Sequence, residues 1–178
     1  MVNDMKNKKI LIVVAIIVGI MVLFVGANNF FVFLQFGHRP QQLSDKAGYS
    51  GTLPKDNVLI TYAYSNYAWS YAYYGEMILD DGTRYLFNCS DRESNSCRLK
   101  EKKAISKSDL NKMRKYEDQL TDLVTFENQG ADMGEVSIVY YKNGEGNTLT
   151  GKGDNLITNE SFGAKKILKV LLKYGVYV

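Results

Sequence analysis

Residues Ile10 to Ala27 form an unbroken apolar run of 18 residues, preceded by Lys6, Lys8 and Lys9. A helix of that length spans roughly 30 Å of hydrocarbon and satisfies its own backbone hydrogen bonds where no water can. Whatever follows such a run is read as exported or as tethered to a membrane. Only Asp4 opposes the three lysines, and the residues after the run carry no charge until Arg39. Positive flanks stay on the cytoplasmic side, which sets the amino terminus inside and the residues beyond about 40 outside.

Two readings of the run compete. A basic start, an apolar centre and the small-residue ending Val25-Gly26-Ala27 also describe a secretory signal cut after Ala27. Against cutting, apolar character resumes at once in Phe30, Phe31, Val32, Phe33 and Leu34, which would become a greasy free terminus. The main expectation is an uncleaved transmembrane anchor over residues 1–36, with residues 10–36 in contact with the bilayer. The alternative is a signal peptide to about residue 27 and a secreted product. Tilt, or an interfacial position for the phenylalanines, takes up the excess apolar length.

Roughly 120 residues lie beyond the anchor and its linker, enough for one domain with one core. Of 22 basic and 19 acidic residues, three lysines and one aspartate precede the run, which leaves 19 against 18 beyond it. A nearly neutral exported part lacks the basic surface that displaces counterions from nucleic acid, so no nucleic-acid partner is expected.

Residues 37–56 contain both prolines, Pro40 and Pro54, several glycines and few large apolar side chains. That composition reads as a linker without a core of its own, ahead of an extracytoplasmic domain over 57–178. The sole histidine, His38, sits in this linker with no preset partner.

Val58, Ile60, Tyr62 and Tyr64 alternate with Leu59, Thr61 and Ala63, and Trp69, Tyr71, Tyr73, Met77 and Leu79 share a second strand pattern. Asp81-Gly82 predicts a hairpin, followed by a strand with Tyr85, Phe87 and Cys89 on one side and a short strand from Cys97 towards Ile105. A helix opens at Ser106 or Ser108 with Asp109 in its first turn, where a carboxylate meets the positive end of the dipole. Its apolar stripe is Leu110, Met113, Tyr116, Leu120, Leu123 and Val124. Val136, Ile138 and Tyr140 mark the next strand, Asn143-Gly144 a second hairpin, and Thr148 and Thr150 the return. A closing helix near Asn159 or Ser161 buries Ala164, Ile167, Leu168 and Leu171 and stops at Gly175. Hairpin-joined strands interrupted by amphipathic helices define an α+β class, here an antiparallel sheet with two helices packed on one face in the order ββ(ββ)αββα.

The Asp-Gly hairpin, the Leu110-containing helix, the Asn-Gly hairpin and the closing amphipathic helix resemble small exported domains of low-GC Gram-positive bacteria. The resemblance covers roughly residues 57 to 175, rests on turns and spacing, and implies no catalytic residue.

Cys89 and Cys97 flank a polar seven-residue loop, Ser90 to Ser96, between two strands. Cross-strand spacing and an oxidising exterior predict a disulfide. A zinc site is not expected, because no CxxC is present and the one histidine lies in the linker. Trp69, Tyr71 and Tyr73 make an aromatic row that is either helix-covered core or a flat surface on which a ligand such as a glycan stacks. Two lysine-rich groups, Arg98 to Lys115 and Lys166, Lys169 and Lys173, read as solvated helix faces, with attraction to anionic headgroups or wall polymers as the alternative. No GxSxG, HExxH, phosphate-binding loop or dinucleotide fingerprint is present. Glu76, Asp80 and Asp81 are close in sequence and are the sole hint of a hydrolytic pair. The sequence therefore predicts a non-catalytic binding or interaction module, without cofactor, for an envelope protein or glycan. A cell-envelope hydrolase is the remaining alternative.

Overall fold

The computed structural model describes residues 39–66, 71–90, 96–128 and 134–177. The apolar run, His38 and Trp69 lie outside these residues. Among the described residues no helix is long and apolar enough to cross a membrane.

The described residues form one compact α+β unit. Its strands are β1 (Tyr49–Gly51), β2 (Val58–Asn66), β3 (Ala72–Leu79), β4 (Arg84–Cys89), β5 (Cys97–Lys102), β6 (Val124–Asn128), β7 (Glu135–Lys142), β8 (Glu145–Lys152) and β9 (Asn155–Asn159). Helix α1 (Lys107–Glu117) separates β5 from β6, and α2 (Phe162–Leu171) follows β9 and runs into a 3-10 turn, Leu172–Tyr174. The nine strands form one sheet in the order β1-β5-β4-β3-β2-β7-β8-β9-β6, and every neighbouring pair is antiparallel.

Both turn signals take the conformation their residues favour. Gly82 has φ 93°, and Asn143 and Gly144 have φ 52° and 83°, positive values that glycine and asparagine tolerate best. Ser106 and Ser161 cap the two helices, their hydroxyls accepting from the Asp109 and Ala164 amides at 3.2 and 3.3 Å. Gly175, at φ 74°, ends the closing helical segment.

The main core lies between the helices and one face of the sheet. Ile60, Tyr62 and Tyr64 of β2, Tyr74 and Ile78 of β3, and Val136, Ile138 and Tyr140 of β7 meet Leu110, Met113, Ala164, Ile167 and Leu171. On the other face Phe87, Leu99, Met77, Ala63 and the Cys89–Cys97 pair form a smaller cluster. The register aligns one residue from each strand across this helix-free face: Tyr49, Leu99, Phe87, Gly75, Ala63, Ser137, Gly151, Ile157 and Phe126. Bulky side chains at both ends of this row flank four small ones. Gly75 is obligatory there, since a Cβ would collide with the Tyr62 carbonyl and Ala63 Cα on β2.

Three sequence expectations need correction. The helix predicted to carry Leu120, Leu123 and Val124 stops at Glu117, the Asp118 amide bonding to the Tyr116 carbonyl. Leu123 is 58% exposed and Val124 opens β6, because the β-branched and aromatic residues Val124, Thr125 and Phe126 pair with β9. Strands β1, β6 and β9 were not predicted, being short and only weakly alternating. The stretch read as a linker packs against the domain from Arg39 on. Leu43 and Leu53 are buried, β1 pairs with β5, and the Arg98 guanidinium donates to the Ala47 and Gly48 carbonyls and to Ser50 Oγ at 3.2, 2.8 and 2.8 Å. Few apolar residues suffice when each finds a hole in an existing core and the backbone joins a sheet edge.

The carboxyl end is locked to α1 by one carboxylate. Asp109 accepts from Lys173 Nζ at 2.9 Å, Lys112 Nζ at 3.0 Å and the Tyr174 hydroxyl at 2.9 Å. These partners, Lys173 foremost, hold its carboxyl well below the usual aspartate range. A depressed folded pKa means stability that is fully present above the unfolded value, about 3.9, and drains away as pH falls through the folded one. Urea midpoints measured down the pH scale should drop below about pH 4, and Asp109→Asn should flatten that part of the curve. An unchanged acid limb in the variant would show that other carboxylates set it.

Candidate functional site

A cleft of about 680 Å3 opens at the end of the β2–β3 and β2–β7 ladders. Its apolar wall is Leu53, Val58, Met77 and Tyr73, with Thr61 and Tyr141 beside them. Thr61 and Met77 are cross-strand partners on the helix-free face, and Leu53 packs over that face from the segment ahead of β2. The lining is also charged, with Lys55, Arg114 and Lys142 together with Asp80 and Glu117. The lining as a whole is more polar than apolar, so a ligand here would be held largely by charged and hydrogen-bonding groups around a small apolar wall.

Local structure fixes the rim. Arg114, on α1, donates to the Asp80 carbonyl at 2.7 Å, tying the helix to the β3–β4 turn. Glu117 accepts the Tyr140 hydroxyl at 2.8 Å. Burial, then this carboxylate, pushes the Tyr140 phenol above the ordinary tyrosine range, so it is a donor at any physiological pH. Lys142 pairs with Asp118 at 2.6 Å, which raises its pKa. Among the described residues, the two non-glycine positions with positive φ, Asn57 at 60° and Asn143 at 52°, both line this cleft. Asparagine tolerates that region better than other side chains, so these two turns keep a fixed shape at the rim.

Of the predicted aromatic row, Tyr73 lines the cleft and packs in a tilted arrangement against Phe87, ring centres 5.0 Å apart. Tyr71 precedes β3 and is half-buried outside the cleft lining. The helices cover the opposite set, with Tyr74 in the main core 5.1 Å from Tyr64. Sequence reasoning missed Leu53, Arg114, Glu117, Tyr141 and Lys142. Tyr141 and Lys142 end β7 beside the Asn143-Gly144 turn and Glu117 ends α1, whereas Leu53 and Arg114 reach the cleft only through tertiary packing, so the set becomes legible only once strand order is known.

The three clustered carboxylates part company. Glu76 is buried on the helix face, bonded to Arg84 at 2.5 Å and Lys102 at 2.7 Å. Asp81 accepts the Thr83 amide at 2.8 Å inside its turn, which lowers its pKa, and Asp80 reaches the cleft. Among the described residues no group of three or more His, Cys, Asp or Glu side chains is placed to hold a metal ion. Of the basic clusters, Arg98, Lys102, Lys112, Arg114 and Lys173 serve the internal contacts already given. Asn159 is buried, its side-chain amide donating to the Thr121 and Thr148 carbonyls.

Comparison of the chain with protein-family models, with curated proteins and with solved structures finds no match.

Proposed function

We propose that this is a single-pass membrane protein, amino terminus inside, whose α+β domain outside the cell binds an envelope protein or glycan and carries no chemistry of its own. The observation that carries the binding reading is the cleft at the end of the β2–β3 and β2–β7 ladders, with Tyr73 and Met77 in its wall and Lys55, Arg114 and Lys142 at its rim. The lysine-flanked apolar run supports the anchor, and the disulfide suits an oxidising exterior. A product secreted after cleavage at Ala27 differs only in its terminus, which amino-terminal sequencing of the mature chain reads directly.

Asp80 and Glu117 lining one cleft are the specific observation behind the hydrolase alternative. Full-length protein in its native membrane, carrying a photo-reactive group at Tyr141, should capture an envelope component, and Thr61→Arg, which fills the cleft, should abolish capture. Release of fragments from purified envelope polymer by wild type, lost in Asp80→Asn or Glu117→Gln, would replace binding with hydrolysis. Capture unaffected by Thr61→Arg would remove the cleft from the reading.

A further inference from the structure

The two edges of the nine-stranded sheet are built differently. At one, β1 is three residues long, follows Gly48 at φ 73°, and has the Arg98 guanidinium bonded to the Ala47 and Gly48 carbonyls just ahead of it and to Ser50 Oγ. That edge is short and enters through a left-handed turn beside a charged side chain, features that discourage strand pairing. At the other edge, β6 runs Val124-Thr125-Phe126-Glu127-Asn128, five residues in unbroken register with β9, with no lysine, proline or bulge. Its last four residues are exposed, Phe126 to 70%. Phe126 also ends the cross-strand row on the helix-free face, next to Ile157.

We propose that β6 is the interface through which two copies of this chain associate, antiparallel and centred on Phe126. The sequence is self-complementary in that register. Phe126 faces Phe126 of the second copy, an aromatic cross-strand pair, and each row is extended to Ile157, Phe126, Phe126, Ile157. Glu127 falls opposite Thr125 and Val124 opposite Asn128, so no like charges meet. The two-fold axis makes the contact closed, yielding a dimer and not a filament. An edge of five residues buries less than the roughly 1,600 Å² of a standard interface, so association is weak and depends on local concentration, as in the plane of a membrane.

The test uses the full chain reconstituted in phospholipid vesicles, with a photo-reactive phenylalanine analogue at Phe126. Illumination should give a covalent dimer whose cross-links map to residues 124–128 of the second copy. Phe126→Lys and Phe126→Glu each place like charges on the axis and should cut dimer yield at least tenfold, measured with a proximity label at the carboxyl terminus. Mixing the two variants should restore it, which simple misfolding would not allow. Cross-links confined to another protein or to other parts of the chain, single variants that dimerise like wild type, or a mixture that fails to recover would each overturn the proposal. None of these outcomes bears on the cleft, which lies at the end of the β2–β3 and β2–β7 ladders.

Discussion

Replacing Glu76 with Ala should unfold the domain at a markedly lower temperature than any surface substitution. Glu76 is 3% exposed and Arg84 4%, and they bond at 2.5 Å, with Lys102 on the second carboxylate oxygen. Arg84 also donates to the Tyr174 carbonyl at 2.8 Å and lies 5.2 Å from the centre of its ring, which draws the carboxyl-terminal turn onto β4. Taking the carboxylate away leaves a guanidinium buried without its counter-charge, at a cost of about 3 to 5 kcal/mol. For a domain of this size that lowers Tm by roughly 10 to 15 °C, read by calorimetry or circular dichroism. Removing both charges is different. Glu76→Leu with Arg84→Met exchanges the pair for apolar volume and should recover most of the loss, because the desolvation penalty of two ions disappears with them. Lys102, about a third exposed, then turns to water. If the double variant were no more stable than Glu76→Ala, the contact between Arg84 and the Tyr174 segment, and not the buried charge, would be the dominant interaction.

Much of this architecture was legible in the chain because its signals are local. Alternation at Val58 to Tyr64 and at Val136 to Tyr140, the two hairpin glycines and the two serine caps each depend on a handful of adjacent residues, and each is present as expected. What failed to show was set by distant contacts. Leu120, Leu123 and Val124 keep a helical spacing after Met113, yet pairing with β9 takes Val124 into a strand. Leu43 and Leu53 look isolated in a proline- and glycine-containing stretch, and only the sheet surface gives them somewhere to go. The cleft suffered the same way. Tyr73 was singled out for its aromatic neighbours, whereas Arg114, Glu117 and Lys142 belong to the rim through strand order, which no local pattern encodes. Glu76 shows the reverse error, a carboxylate grouped by sequence with Asp80 and Asp81 that the pleat of β3 turns onto the opposite face.

Loss of the Cys89–Cys97 disulfide should be the next most costly single change. The two residues are directly opposed in the β4–β5 ladder with Cα atoms 4.0 Å apart, and both are at least nine-tenths buried beside Met77, Phe87 and Leu99. Closing a loop of this length restricts the unfolded chain by about 2 to 3 kcal/mol in the chain-entropy model, before any packing is lost with the sulfur atoms. Cys89→Ala with Cys97→Ala should therefore lower Tm by roughly 5 to 10 °C. The loss should be local as well as global. β5 carries the edge strand β1, and Arg98 of β5 holds the Ala47 and Gly48 carbonyls and the Ser50 hydroxyl, so amide exchange should accelerate in β5 and then β1 before it does in β2 or β7. Burial slows reductant, so the wild-type bond should resist mild thiol until the domain begins to open. Alkylation of non-reduced protein from its native compartment should leave both cysteines unmodified, and finding them modified would mean that the chain matures where disulfides do not persist, which removes the outside location along with the bridge.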